Sequence, residues 1–316
     1  MYLESFGLRI APFSMTSDPA MLFLSASHRE ALAGLCYGLL DRKGLLVVLG
    51  QAGTGKTTLL TKAVQALPAS RIEFATVLNP TLTPSEFLES VLIGFGIGEI
   101  PASKPQRLLK LHNRLLEVQA ENRIAALVID EAHKLSLEVF EEVRLLGNLE
   151  NRAEKLLQLV LAGQSDLAAT LNRGDLQQLK QRIAGRLSLR PLSRPEVAEY
   201  IRHRWMRAGG TPDVPFSPAA LELAARLSHG IPRVVNAICD NALLLVFGER
   251  AGLVEPRHVI QSATDLDLLE TAAERQPLPE FVPKPAPVET ITAPDRTAAD
   301  GRTLWAKWAN WLRLAS

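Results

Sequence analysis

The run Gly50-Gln51-Ala52-Gly53-Thr54-Gly55-Lys56-Thr57 constrains this chain more than any other stretch. An apolar segment, Leu45-Leu46-Val47-Val48-Leu49, precedes it, and a helix-compatible stretch from Thr58 to Leu67 follows. The spacing G-x-x-x-x-G-K-[ST] between a strand and a helix is that of a phosphate-binding P-loop. Gly53 and Gly55 carry no Cβ, so the backbone there can close around an anion. The amides that open the next helix, up to Thr58, face that anion, and the helix dipole favours negative charge at this end. Lys56 is expected to reach the β- and γ-phosphates of ATP, and Thr57 to offer its hydroxyl to Mg²⁺.

A P-loop alone implies binding; hydrolysis needs a second motif. Ala126-Leu127-Val128-Ile129-Asp130-Glu131 reads as an apolar strand ending in two acids. Asp130 at the strand tip suits the Mg²⁺ shell. Glu131 suits a carboxylate base one hydrogen bond from an attacking water. Acids also collect at helix N-termini for electrostatic reasons alone, but the upstream P-loop makes the paired reading the stronger one. A further apolar segment ends in Ala162-Gly163-Gln164, where Gln164 could sit between the γ-phosphate and the water. Arg182 and Arg186 flank a turn into a short strand, Gln181-Arg182-Ile183-Ala184-Gly185-Arg186-Leu187. Either could reach a neighbouring subunit's γ-phosphate as an arginine finger, and Arg186, nearest the strand, is the first candidate. Gly230-Ile231-Pro232-Arg233 opens a later helix, placing Pro232 and Arg233 to report on the nucleotide from a lid.

Strands and helices alternate through the first two-thirds of the chain. Strands are expected at Leu45–Leu49, Ile72–Leu78, Ile124–Ile129, Leu156–Leu161 and Leu187–Leu189. Helices are expected between them, at Pro84–Phe95, Pro105–Gln119, Ser136–Leu149, Ser165–Leu171 and Asp175–Ile183, with a lead-in helix capped by Ser27. This alternation implies a parallel sheet in a three-layer α/β/α core over residues 1–191. From Ser193 only helical patterns follow: Ser193–Arg207, Ser217–Ser228, Pro232–Phe247 and Pro256–Asp265. They form a small all-α lid over 192–268. Residues 269–302 contain six prolines and read as a linker. The tail 303–316 places Leu304, Trp308, Trp311, Leu312 and Ala315 on one helical face, with Lys307 and Arg313 as its charged side chains. Such a tail suits weak contact with a membrane surface, docking into a partner's groove, or packing on its own domain.

The chain of 316 residues has a net charge of +1, which does not favour nucleic acid as a partner. Cys36 and Cys239 lie in apolar helical patterns and read as buried free thiols. No uncharged apolar run is long enough for a membrane-spanning helix, so a cytoplasmic protein is expected, held if at all at the inner face of the cytoplasmic membrane.

Together these motifs resemble AAA+ P-loop ATPases. More narrowly, the chain is similar to the ExeA/GspA family of bacterial secretion-associated ATPases, related to pilus-biogenesis and exosortase-linked proteins. The likeness lies in Phe6-Gly7-Leu8, Pro12-Phe13, Asp18-Pro19, Leu22-Phe23, His28-Arg29-Glu30-Ala31-Leu32, Tyr37-Gly38-Leu39, Asn148-Leu149-Glu150, Leu161-Ala162-Gly163-Gln164 and the Gly-x-Pro-Arg step. It covers roughly residues 1–268. The resemblance implies ATP with Mg²⁺, assembly into a homo-oligomeric ring or filament, and a secretion or envelope-assembly partner. It also implies an adenine held near Phe13 and Asp18 on one side and the lid on the other. The longer secretion members continue into a transmembrane helix and a peptidoglycan-binding domain, in place of which this chain has its Trp-rich tail. Two other classes share parts of the pattern: a DNA-binding AAA+ ATPase of the transposition-regulator type, and a DEAH-box helicase suggested by Asp130-Glu131-Ala132-His133. A single nucleotide-binding core disfavours the helicase.

Overall fold

Parallel strands buried on both faces need continuous apolar runs, and the sequence supplies them at the centre of a five-stranded sheet. The computed structural model describes residues 2–78, 81–151 and 154–269. Its strands are β1 (Leu45–Gly50), β2 (Ile72–Val77), β3 (Ile124–Ile129), β4 (Leu157–Gly163) and β5 (Ile183–Leu189), in the order β2-β3-β4-β1-β5. All pairings are parallel. β3 and β4 are buried along their whole length, whereas β5, at one edge, alternates in exposure.

Crossover helices cover both faces, as parallel pairing requires. The lead-in helix Ala26–Leu40 and the P-loop helix Lys56–Ala66 pack Leu35, Leu39 and Leu59 against one face. Helices Pro84–Gly94, Lys104–Ala120 and Leu137–Leu146 pack Phe87, Leu111 and Phe140 against the other. This is the expected three-layer AAA+ core.

Four lid helices follow: Arg194–Arg207, Pro218–Leu227, Pro232–Gly248 and Pro256–Asp265. Each begins with proline at its first or second position, where a missing N–H costs nothing. Ser193 and Glu196 close a capping box at the first of them. The opening segment, grouped with the α/β domain on sequence, packs its apolar side chains into the lid instead. Leu8 and Phe13 belong to the lid's hydrophobic core, and Phe6 stacks edge-on against Trp205. Tyr2 donates to Asp240 at 2.6 Å, and Arg204 donates to the carbonyls of Pro12 and Ser14.

Two sequence expectations are corrected. The lead-in helix is capped by Ser25, whose hydroxyl accepts from the His28 amide; Ser27 lies inside the first turn. Two serines two residues apart offer equal caps, and burial of His28 decides between them. The helix expected over Asp175–Ile183 ends at Lys180, and β5 starts at Ile183 rather than Leu187. Leu176, Leu179 and Ile183 have helical spacing, but pairing of Ile183 with Leu45 of β1 overrides it. The linker and the tail, from residue 270 onward, lie outside the described residues. Among the described residues no helix is long and apolar enough to cross a membrane.

Candidate functional site

The P-loop leaves the C-terminal end of β1, where open α/β sheets bind ligands. Gly53 and Gly55 have φ of +78° and +94°, the left-handed region that glycine enters without steric cost. Lys56, 5% exposed, folds back on its own loop and donates to the carbonyls of Gly50 and Gln51 at 2.9 and 3.1 Å. Burial pulls its pKa below the ordinary lysine value; Glu131 and Asp130 oppose that, and Arg233 reinforces it. The Thr57 hydroxyl donates to Asp130 Oδ2 at 2.6 Å. One hydroxyl and one carboxylate meeting in this way suit a cation that keeps several waters and takes its other ligands from phosphates, as Mg²⁺ does.

Glu131 follows at the tip of β3 with φ of +52°, an uncommon conformation for a residue with a side chain. Its amide donates to Asp130 Oδ1 at 2.8 Å. Its carboxylate lies 3.3 Å from Lys134 Nζ and 3.7 Å from His133 Nε2. Gln164, just beyond β4, faces His133 with both its main-chain and side-chain nitrogens. Gly163 makes this approach possible, because a Cβ there would sit 3.2 Å from the His133 amide nitrogen and 2.8 Å from Leu167.

A cavity of about 370 Å³ runs along these groups. Ala52 to Thr58, Glu131, Gln164, Pro232 and Arg233 line its P-loop end. At the other end Met21, Leu22 and Phe23 of the lead-in segment face Tyr200 and Asn236 of the lid, joined to each other by a 2.7 Å hydrogen bond. Asp18 lies on this wall, and its carboxylate caps the short turn Pro19–Met21. Phe13 does not line the cavity. Its ring is 1% exposed and stacks edge-on against Phe216 in the lid core, so the neighbouring Met15-Thr16-Ser17 run forms the wall in its place.

The lid reaches the P-loop directly. The Arg233 amide donates to the Gly53 carbonyl at 3.3 Å. The buried His28 also braces this loop, with Nε2 3.0 Å from the Thr54 carbonyl and Nδ1 2.7 Å from the Ser25 hydroxyl. Desolvation lowers the pKa of His28, which favours the neutral ring. Sequence reasoning missed His28, His133 and Lys134. A histidine on a helix face or in a loop has no pattern that separates bracing from ordinary burial.

Arg182 and Arg186 stand away from this cavity. Arg182 donates to the Arg144 carbonyl at 3.0 Å and lines a separate cleft with Lys43, Arg144 and Lys155. Arg186 is exposed along β5, opposite Val47. Neither arginine lines the cavity of its own chain.

The AAA domain family matches residues 40–171. General secretion pathway protein A of Aeromonas hydrophila is 42% identical over 251 residues, 78% of this chain. The chain spans about 45% of the length of that relative. Among solved structures, the ORC2 protein of Aeropyrum pernix superimposes with a TM-score of 0.63 at 18% identity, over 80% of this chain and 71% of its own. The RuvB Holliday junction branch migration motor of Thermotoga maritima does so at 0.53 and 19% identity, over 78% and 73%. At these identities the structural likeness carries the fold and nothing further.

Proposed function

Because the chain belongs to the general secretion pathway protein A family of AAA ATPases, we propose that it binds and hydrolyses ATP to energise or regulate assembly of a bacterial secretion or envelope machine. One observation carries the reading: Lys56, Thr57, Glu131, Gln164 and Arg233, drawn from four separate segments, line one cavity beside Asp130. In this reading the P-loop amides and Lys56 hold the β- and γ-phosphates. Thr57 and Asp130 would hold Mg²⁺, which supplies charge neutralisation at the phosphates when bound. Glu131 accepts a proton from the water that attacks the γ-phosphorus. Gln164 orients that water, and Arg233 contacts the same phosphate from the lid. An arginine of the 182–186 turn completes the pocket of a neighbouring copy in a ring or filament.

Two substitutions separate binding from turnover. Lys56→Ala is expected to abolish retention of a fluorescent ATP analogue. Glu131→Gln is expected to bind ATP with near wild-type affinity while phosphate release falls by at least about 100-fold, the usual loss when a general base is removed. Normal turnover by Glu131→Gln would show that the base lies elsewhere. Wild-type protein that neither binds ATP nor releases phosphate would end the reading.

A further inference from the structure

Glu131 lines the cavity with its side chain a third exposed, and one of its oxygens lies beside two basic neighbours. Its Oε2 is 3.3 Å from Lys134 Nζ and 3.7 Å from His133 Nε2. His133, whose side chain is only 10% exposed, stands between this carboxylate and Gln164. The Gln164 amide N–H points at His133 Nδ1 at 3.5 Å, and the Gln164 carboxamide nitrogen lies 3.2 Å from His133 Nε2. A neutral imidazole has one acceptor nitrogen, so it cannot accept from both. The main-chain N–H is fixed by the end of β4, whereas the carboxamide turns about its last torsion. Nδ1 is therefore the acceptor and Nε2 carries the proton. That proton has two acceptors within reach: the Glu131 carboxylate at 3.7 Å and, after a half-turn of the amide, the Gln164 carboxamide oxygen.

We propose that His133 is a positioning residue for Glu131, passing its Nε2–H between the Gln164 carboxamide and the Glu131 carboxylate and so linking the group that senses the γ-phosphate to the group that takes the proton. The inference rests on ATP hydrolysis at this site and adds a residue to it. When Gln164 turns its carboxamide toward a phosphate or water, its bond to the ring is given up. The Nε2–H then orients Glu131. Lys134, with its side chain half exposed at the cavity wall, holds the same carboxylate oxygen from solvent. Gly163 and the left-handed Glu131 backbone bring the three side chains this close.

The test compares His133→Ala and His133→Gln in the full chain, with circular dichroism confirming that both are folded. His133→Ala is expected to lower kcat by about 10- to 100-fold, the scale of a misaligned reacting group, with KM for ATP and the affinity for ADP changed less than twofold. His133→Gln keeps one acceptor and one donor and is expected to recover kcat to within about fivefold of wild type. Nitrogen-15 NMR of histidine-labelled, nucleotide-free protein gives a readout that needs no turnover. The signal missing in His133→Gln should be that of an Nε2–H tautomer, and it should move in Gln164→Ala and in Glu131→Gln. A kcat for His133→Ala within twofold of wild type overturns the proposal, as does an Nδ1–H tautomer. Absence of turnover in wild type strikes the parent reading, and the tautomer measurement still decides the place of His133.

Discussion

A neutral imidazole has one donor and one acceptor, and His28 uses both within the interior. Its Nε2–H donates to the Thr54 carbonyl and its Nδ1 accepts from the Ser25 hydroxyl, tying the lead-in helix to the P-loop. Burial lowers its pKa from 6.5. The unfolded chain therefore takes up a proton at higher pH than the folded chain does, and the stability that His28 contributes is complete above about pH 6.5 and lost as pH falls toward its depressed value. His28→Asn is expected to lower unfolding free energy by about 1–2 kcal/mol at pH 8, the cost of orphaning buried partners. The gap should close toward pH 5. Chemical denaturation of both proteins at the two pH values measures this, and an unchanged gap would remove the brace from the account. His203 is also shifted down by burial, so the difference between the two proteins, not either curve alone, isolates His28. At this scale the sequence was legible where a motif fixes both residue type and spacing, as at Lys56, Thr57, Asp130 and Glu131. It was not legible at His28 or His133, whose roles depend on which loop the fold brings alongside.

Among the elements, two glycines at positive φ, Gly230 and Gly53, leave little steric slack where the lid helix opening at Pro232 meets its neighbours. At Gly230 an added Cβ would fall 1.9 Å from the Leu192 carbonyl oxygen, and its φ is +71°. The same glycine accepts from the Leu192 amide through its own carbonyl at 2.8 Å. At Gly53 a Cβ would meet Arg233 Cβ at 2.8 Å and Ile231 Cγ2 at 3.0 Å, again at positive φ. A P-loop glycine usually explained by phosphate also makes room here for the lid. Gly230→Ala is expected to destabilise the protein by at least about 2 kcal/mol, because left-handed strain and a backbone clash act together. Gly53→Ala is expected to push the lid off the loop, lowering ATP affinity at least tenfold and raising the rate of limited proteolysis near Leu192. Unchanged proteolysis with lost ATP binding would confine the role of Gly53 to the phosphate. β3, the helix Ser165–Leu171 and the lid helices with their proline starts were readable and fall where the pattern places them to within a residue. The misread ones sit where tertiary partners outvote local pattern. β5 gains its first half only by pairing with β1, and the opening segment, too short for a core of its own, is absorbed by the lid.

On the scale of the whole molecule, Lys56, Glu131, Gln164 and Arg233 gather at one end of the cavity, and neither Arg182 nor Arg186 lines it. Arg182 and Arg186 belong to a surface turned away from that cavity. Arg182 shares its cleft with Lys43, Arg144 and Lys155, and Arg186 is exposed on the edge strand β5. In the proposed reading, a guanidinium so placed acts on another copy. If it does, two inactive proteins can repair each other. Lys56→Ala lacks its own phosphate grip but keeps the arginines; Arg182→Ala or Arg186→Ala lacks a finger but keeps the grip. Lys56→Ala and the variant of the arginine that acts are each expected alone to release phosphate at under about a tenth of the wild-type rate, given the large effect of a finger on turnover, while the other arginine variant keeps its turnover. Mixed in equal amounts, the pair that includes the true finger variant should regain roughly a quarter of wild-type activity, the share of head-to-tail interfaces with a sound grip facing a sound arginine. The recovery should depend on total protein concentration. Running both mixtures side by side tells which arginine acts. Should neither arginine variant lose activity, the pocket is complete within one chain, and the requirement for a ring or filament in turnover disappears with it.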